Sequence, residues 1–98
     1  MGRRRKRDWP SVHVFLYFTG PGLSRLVFDR MATRMRKMGF FIWEMHIYHR
    51  DLNWLEKASM KVSAPSLEAV RELLSEFEAR YGFKAHVVEM ASDEASEA

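Results

Sequence analysis

The strongest constraint on the fold of this 98-residue chain is the alternation of four strand-like segments with two helix-like ones. Runs rich in β-branched and aromatic residues favour strands, whereas apolar residues spaced three and four apart favour helices. These patterns predict strands over 12–18, 40–49, 54–62 and 83–90, and helices over 23–38 and 67–81. The predicted order is therefore β-α-β-β-α-β.

This order predicts a particular sheet. Because crossover connections are right-handed, the four strands form one antiparallel sheet with both helices on the same face. We therefore predict an α+β, ferredoxin-like βαββαβ domain over residues 11–90, with the other face of the sheet uncovered. Residues 1–10 are predicted to be a basic flexible arm, and residues 91–98 an acidic disordered tail.

Local signals mark the ends of the two helices. Gly39 and Gly82 stand where glycine ends a helix, and Ser66 stands where a serine side chain caps the first turn. The predicted apolar stripe of the first helix consists of Leu23, Leu26, Val27, Met31, Met35 and Met38.

Alternation along the strands assigns side chains to the two faces of the sheet. The residues predicted to lie under the helices are Val12, Val14, Leu16, Phe18, Phe41, Trp43, Met45, Ile47, Ala58, Met60 and Val62. The residues predicted to lie on the open face are His13, Phe15, Tyr17, Ile42, Glu44, His46, Tyr48, Lys57, Ser59 and Lys61. For the last strand the pattern permits either Ala85 and Val87 or His86, Val88 and Met90 as the inner set.

Composition excludes several classes of protein. With no cysteine there is no disulfide framework, no thiolate metal site and no cysteine nucleophile. The apolar runs are too short to span a membrane, and Asp8, Trp9 and Pro10 follow the basic start where a secretory signal would be apolar. We therefore expect a cytoplasmic protein without a membrane partner.

The net charge of +3 is unevenly distributed, since the excess of Lys and Arg lies in the first half of the chain. Such asymmetry favours an anionic partner. One hypothesis is therefore that the chain binds RNA or DNA through its basic arm and open sheet face, within a ribonucleoprotein. The residues assigned to this interface are Arg3, Arg4, Arg5, Lys6, Arg7, Phe15, Tyr17, Tyr48, Lys57 and Lys61. The third strand lacks the aromatic signature of the RNA-recognition motif, so the chain is not a standard member of that class.

No catalytic or metal-binding pattern is present. His13 and His46 are predicted to lie two strand spacings apart, about 10 Å, which is too far for two ligands of one ion. The acidic residues form no acid–base pair, and the sequence contains neither a Walker loop nor a zinc-protease motif. We therefore expect no metal, no cofactor and no enzymatic activity.

The segment 12–23, in which a strand ends in a Gly-Pro-Gly turn, is followed by a helix ending at Gly39 and a second strand beginning Phe41-Ile42-Trp43-Glu44. This arrangement resembles the ACT domain, a small regulatory ligand-binding module. The resemblance implies a non-enzymatic homodimer with its sheets side by side, which binds an amino acid or another small carboxylate and regulates a partner. The ligand turn that it implies consists of Gly20, Pro21, Gly22 and Leu23. A third possibility is that the open face serves only for assembly with another copy or domain.

Overall fold

The computed structural model describes residues 12–90; the predicted arm with Arg3–Arg7 and the predicted tail lie outside this range. The elements are β1 (Val12–Thr19), α1 (Arg25–Lys37), β2 (Phe41–His49), β3 (Leu55–Ala64), α2 (Leu67–Tyr81) and β4 (Lys84–Glu89). Their order is the predicted one.

The four strands form one antiparallel sheet in the order β2-β3-β1-β4. Strand β1 is therefore central, between β3 and β4, while β2 and β4 are the edges. The predicted α+β, ferredoxin-like fold is confirmed. Neither described helix has the length and apolar content that crossing a bilayer requires.

The core lies between the sheet and the two helices. On β1 the residues Val14, Leu16 and Phe18 are fully buried under the helices, as the alternation predicts. The Phe18 ring packs edge-on against the rings of Phe28 and Phe83, each with a centroid 6.0 Å away. Strands β1 and β3 thus place their apolar faces where the period-two pattern predicts.

The predicted helix ends are largely correct. Ser66 caps α2 by accepting a hydrogen bond from the amide of Ala69, and Gly82 ends that helix with φ +80°. Helix α1 begins later than predicted, because Ser24 caps it by accepting from the amide of Val27. Leu26, predicted to be buried, is exposed.

The predicted faces of β2 are wrong over its first three residues. A β-bulge between Ile42 and Glu44 shifts the register, so that Glu44 pairs with Lys61 while Ile42 pairs with Val62. Ile42 therefore packs against the core. Phe41 and Trp43, predicted to lie under the helices, lie on the open face instead, Phe41 opposite Ser63 and Trp43 beside Lys61. The physical reason is that a bulge inserts one extra residue into the strand. Residues before the bulge therefore point to the opposite face from the one that strict alternation predicts.

Strand β4 resolves the alternative that the sequence left open. Ala85 pairs with Phe18 and Val87 with Leu16, so both lie under the helices. His86 and Val88 consequently lie on the open face, opposite Tyr17 and Phe15. The open face thus acquires two further residues from an edge strand.

Candidate binding surfaces

The turn that the ACT resemblance implies as the ligand site is held by bonds within the chain. The amide of Leu23 donates to the carbonyl of Gly20 at 3.2 Å, and the amide of Gly22 donates to the carbonyl of Gly82 at 3.3 Å. Gly20 adopts φ +121°, which glycine permits, and the Leu23 side chain is fully buried. Two amides that could hold an anion at this turn therefore already have acceptors.

The first turn of α1 is similarly occupied. The amide of Arg25 donates to the carbonyl of Asn53 in the β2–β3 hairpin at 3.1 Å, and Ser24 accepts from Val27. Helix amides that would otherwise attract a carboxylate are thus used to fix the hairpin and the cap. With these amides occupied, exposed side chains are the more available groups for binding a ligand near this turn.

Such side chains line a groove beside the turn, between α1 and the edge strand β2, with a volume of about 360 Å³. We call this the α1–β2 groove. Its apolar lining comes from Phe28, Ala32, Met45 and Ile47, and its charged lining from Arg25, Asp29 and Arg36. The groove therefore combines both signs of charge with an apolar surface.

The charged residues of this groove are distributed along α1. Arg25 Nε lies 3.8 Å from an oxygen of Asp29, and both side chains are more than half exposed. An exposed pair of this kind contributes about 0–1 kcal/mol, so a ligand can replace either partner at little cost. Arg36 lies three helical turns further along, about 16 Å away, at the other end of the groove.

A second groove of about 360 Å³ separates α1 from α2 and is lined by basic residues. Arg34 is bonded to Glu76 at 3.0 Å, and Arg30 donates to the Tyr81 hydroxyl at 3.2 Å. The Arg80 guanidinium lies 5.5 Å from the centre of the Tyr81 ring. Each of these three cations thus already contacts a side chain of α2.

The open face of the sheet brings together the residues assigned to the nucleic-acid interface within the described range. Register places Phe15 opposite Lys61 and Tyr17 opposite Ser59, while Tyr48 is opposite Lys57. No described residue forms a layer over this face. Phe41, Trp43, Lys84, His86 and Val88 also lie on it, although the sequence analysis did not assign them to the interface.

Glu44 lies within a small polar cluster on the open face. Its carboxylate is 2.7 Å from His46 Nε2 and 3.1 Å from Lys61 Nζ. The hydrogen bonds from His46 and Lys61 hold the pKa of Glu44 below its usual value, so this carboxylate remains charged at neutral pH. Its negative charge is balanced by neighbours on the same face.

The histidines do not converge. His13 Nδ1 is hydrogen-bonded to Ser63 Oγ at 2.7 Å, His46 is bonded to Glu44, and His86 lies beside Tyr17. Within residues 12–90, no group of three His, Asp or Glu side chains is arranged to hold a metal ion. The described part of the open face is therefore characterised by its aromatic rings and cations.

No protein-family model and no curated protein matches this chain. Its fold is similar to the crystal structure of an unknown protein from Galdieria sulphuraria, with a TM-score of 0.67, 20% identity, and coverage of 93% of this chain and 55% of that one. It is also similar to a proposed amidohydrolase/peptidase from Burkholderia cenocepacia, with a TM-score of 0.59, 10% identity, and coverage of 82% and 27%. At these identities the similarity shows the fold alone, and this chain spans about half and about a quarter of those proteins.

Proposed function

We propose that this chain is a non-enzymatic, ACT-like binding module that acts as a homodimer and takes up an amino acid in the α1–β2 groove. The observation that carries the proposal is the placement of Arg25 and Asp29 beside an apolar lining, next to the β1–α1 turn. A zwitterion presents one charge to each of these groups, and its side chain is accommodated by Phe28 and Ile47.

The groove differs from the ligand turn that the resemblance implies. The amides of Gly22 and Leu23 are used within the chain, whereas the side chain of Arg25 is more than half exposed. A guanidinium binds a carboxylate with two parallel hydrogen bonds, which are among the strongest polar contacts in proteins. In this proposal the turn positions Arg25, and the side chain of Arg25 binds the ligand.

The dimer would complete the site. The groove opens along the β2 edge, and ligand sites usually bury most of their ligand. On the β2 edge strand Phe41 and Met45 are exposed apolar residues, and Met45 also lines the groove. The side-by-side dimer that the ACT resemblance implies would cover these residues and close the groove.

The ligand is tested by a thermal-shift screen of the standard amino acids, followed by calorimetry with the most stabilising one. At a concentration a hundredfold above Kd, a ligand raises the free energy of unfolding by about 2.7 kcal/mol. Arg25→Gln is expected to weaken binding about 10- to 100-fold, since losing hydrogen bonds to a charged group costs about 1.5–3 kcal/mol.

Arg36→Gln is the matched control, because it removes the same charge from the far end of the same groove. We expect its Kd to remain within about twofold of the unmodified chain. Equal losses in the two variants would place the ligand elsewhere, and a screen in which no amino acid raises the Tm would refute the proposed ligand class.

The dimer is tested by light scattering, with an expected mass twice the 11.6 kDa of one chain. Met45→Lys is expected to shift the mass toward the monomer, because a charge on an edge strand opposes association. Val88→Lys places the same charge on the other edge strand, β4, and should leave the dimer intact. A monomeric unmodified chain, or a Val88→Lys variant that dissociates instead, would contradict the β2-edge dimer.

A further inference from the structure

We propose that the open sheet face binds single-stranded nucleic acid, with bases stacked on its aromatic rings and phosphates held by its lysines. This face lies on the opposite side of the sheet from the α1–β2 groove, so the proposal does not depend on the amino-acid site. It is carried by the arrangement of rings and cations across all four strands.

The rings lie on three of the four strands. Phe15 and Tyr17 are half-buried on the central strand β1, and Tyr48 and Trp43 lie on β2. The Tyr17 ring lies next to the ring of His86 on β4, with the two ring centroids 5.9 Å apart. Aromatic rings on a flat sheet stack with bases whatever their identity, because every base has a π face.

Cations lie among these rings. Lys57 Nζ is 5.0 Å from the centre of the Tyr48 ring, and Lys61 Nζ is 5.9 Å from that of Trp43. Lys84 lies in the same row as Lys57, since both pair with Thr19. Ammonium groups that can bind phosphates thus lie beside the rings on which bases would stack.

The charge of the face favours a polyanion over a second copy of the chain. The face carries Lys57, Lys61 and Lys84. Its carboxylates are Glu44, which is bonded to Lys61 and His46, and Glu56, which lies next to Lys57. Two copies packed face to face about a two-fold axis would set this patch against itself. Like charges across such an interface oppose association, whereas a nucleic-acid backbone complements them.

The shape of the face favours a single strand over a duplex. Residues on the open face project from a sheet, which presents neither a helix nor a two-stranded ribbon to a major groove. In a duplex the bases are already stacked on each other, so rings on a flat surface cannot reach them. Single strands expose their bases and are the usual targets of sheet surfaces with aromatic residues.

The test is fluorescence anisotropy of the full chain with a labelled oligouridylate across a salt series. Tyr17→Leu keeps a half-buried apolar side chain but removes the ring, and we expect about tenfold weaker binding. Lys57→Gln is expected to weaken binding several-fold and to reduce the slope of log K against log salt by about 0.7.

Lys37→Gln is the matched control, because it removes the same charge from α1 on the helix side of the sheet. Its affinity should remain close to that of the unmodified chain. The proposal is overturned by an absence of oligouridylate binding, by unchanged affinity in Tyr17→Leu and Lys57→Gln, or by an equal loss in Lys37→Gln. Competition by polyglutamate as effective as that by unlabelled oligouridylate would also overturn it, since that polyanion has no bases to stack.

Discussion

Gly22→Ala is expected to lower the free energy of unfolding by about 3 kcal/mol, at the upper end of overpacking effects. A Cβ at this position would overlap the backbone carbonyl oxygen of Tyr81. It would also lie 2.7 Å from the carbonyl carbon of Tyr81 and 3.0 Å from that of Gly82. The obstacle is backbone, which cannot rotate away as a side chain can. The β1–α1 turn therefore packs directly on the α2–β4 turn, and only glycine fits between them.

Chemical denaturation measures this effect, and Gly39→Ala is its control. Gly39 has φ +89° but open space around the position of a Cβ. Its replacement should cost about 1 kcal/mol through backbone strain alone. A Gly22→Ala variant as stable as Gly39→Ala would contradict the close approach of the two turns. Because Gly22 is needed for the packing of the two turns, a substitution at this position changes stability and cannot test ligand binding by itself.

Phe18→Ala is expected to destabilise the domain by about 3–5 kcal/mol, the range for emptying a buried aromatic site. The ring is fully buried and packs against the rings of Phe28, on α1, and Phe83, just before β4. Its loss would leave a cavity where helix, sheet and turn meet. Since small domains are stable by about 5–15 kcal/mol, this variant would be close to unfolding.

Tyr17→Ala provides the comparison, because the neighbouring residue points to the opposite face of the sheet. Removing a half-buried ring from an uncovered surface should cost about 1 kcal/mol. Thermal denaturation distinguishes the two variants, since each 1 kcal/mol lowers the Tm by about 4–8 °C in a domain of this size. Equal losses would show that the open face is covered in solution.

The sequence predicts the elements well where local chemistry decides them. Ser66 and Gly82 mark the ends of α2 because a cap and a left-handed residue satisfy helix termini locally. The faces of β1 and β3 follow from strict alternation. Leu26 was misassigned because its spacing fits the apolar stripe, whereas its exposure depends on which side of α1 meets the sheet.

The candidate sites are less accessible to sequence analysis. The assignment of Phe15, Tyr17 and Lys61 to one face needed only the period of the strands. The α1–β2 groove was missed, because it joins Arg25 and Asp29 to Met45 across a turn of unknown path. The spacing of Arg25 and Asp29, four apart on a helix, was the one available signal.

The sequence by itself determined the order of the elements, the caps of α2, and the two faces of the central strands, because all three depend on neighbouring residues. Only the tertiary structure decided the β2 bulge that turns Trp43 onto the open face, since an inserted residue reverses the alternation without a local mark. It likewise decided the role of Gly22. That role arises from the carbonyl of Tyr81, which is remote in sequence and is brought into contact by the packing of two turns.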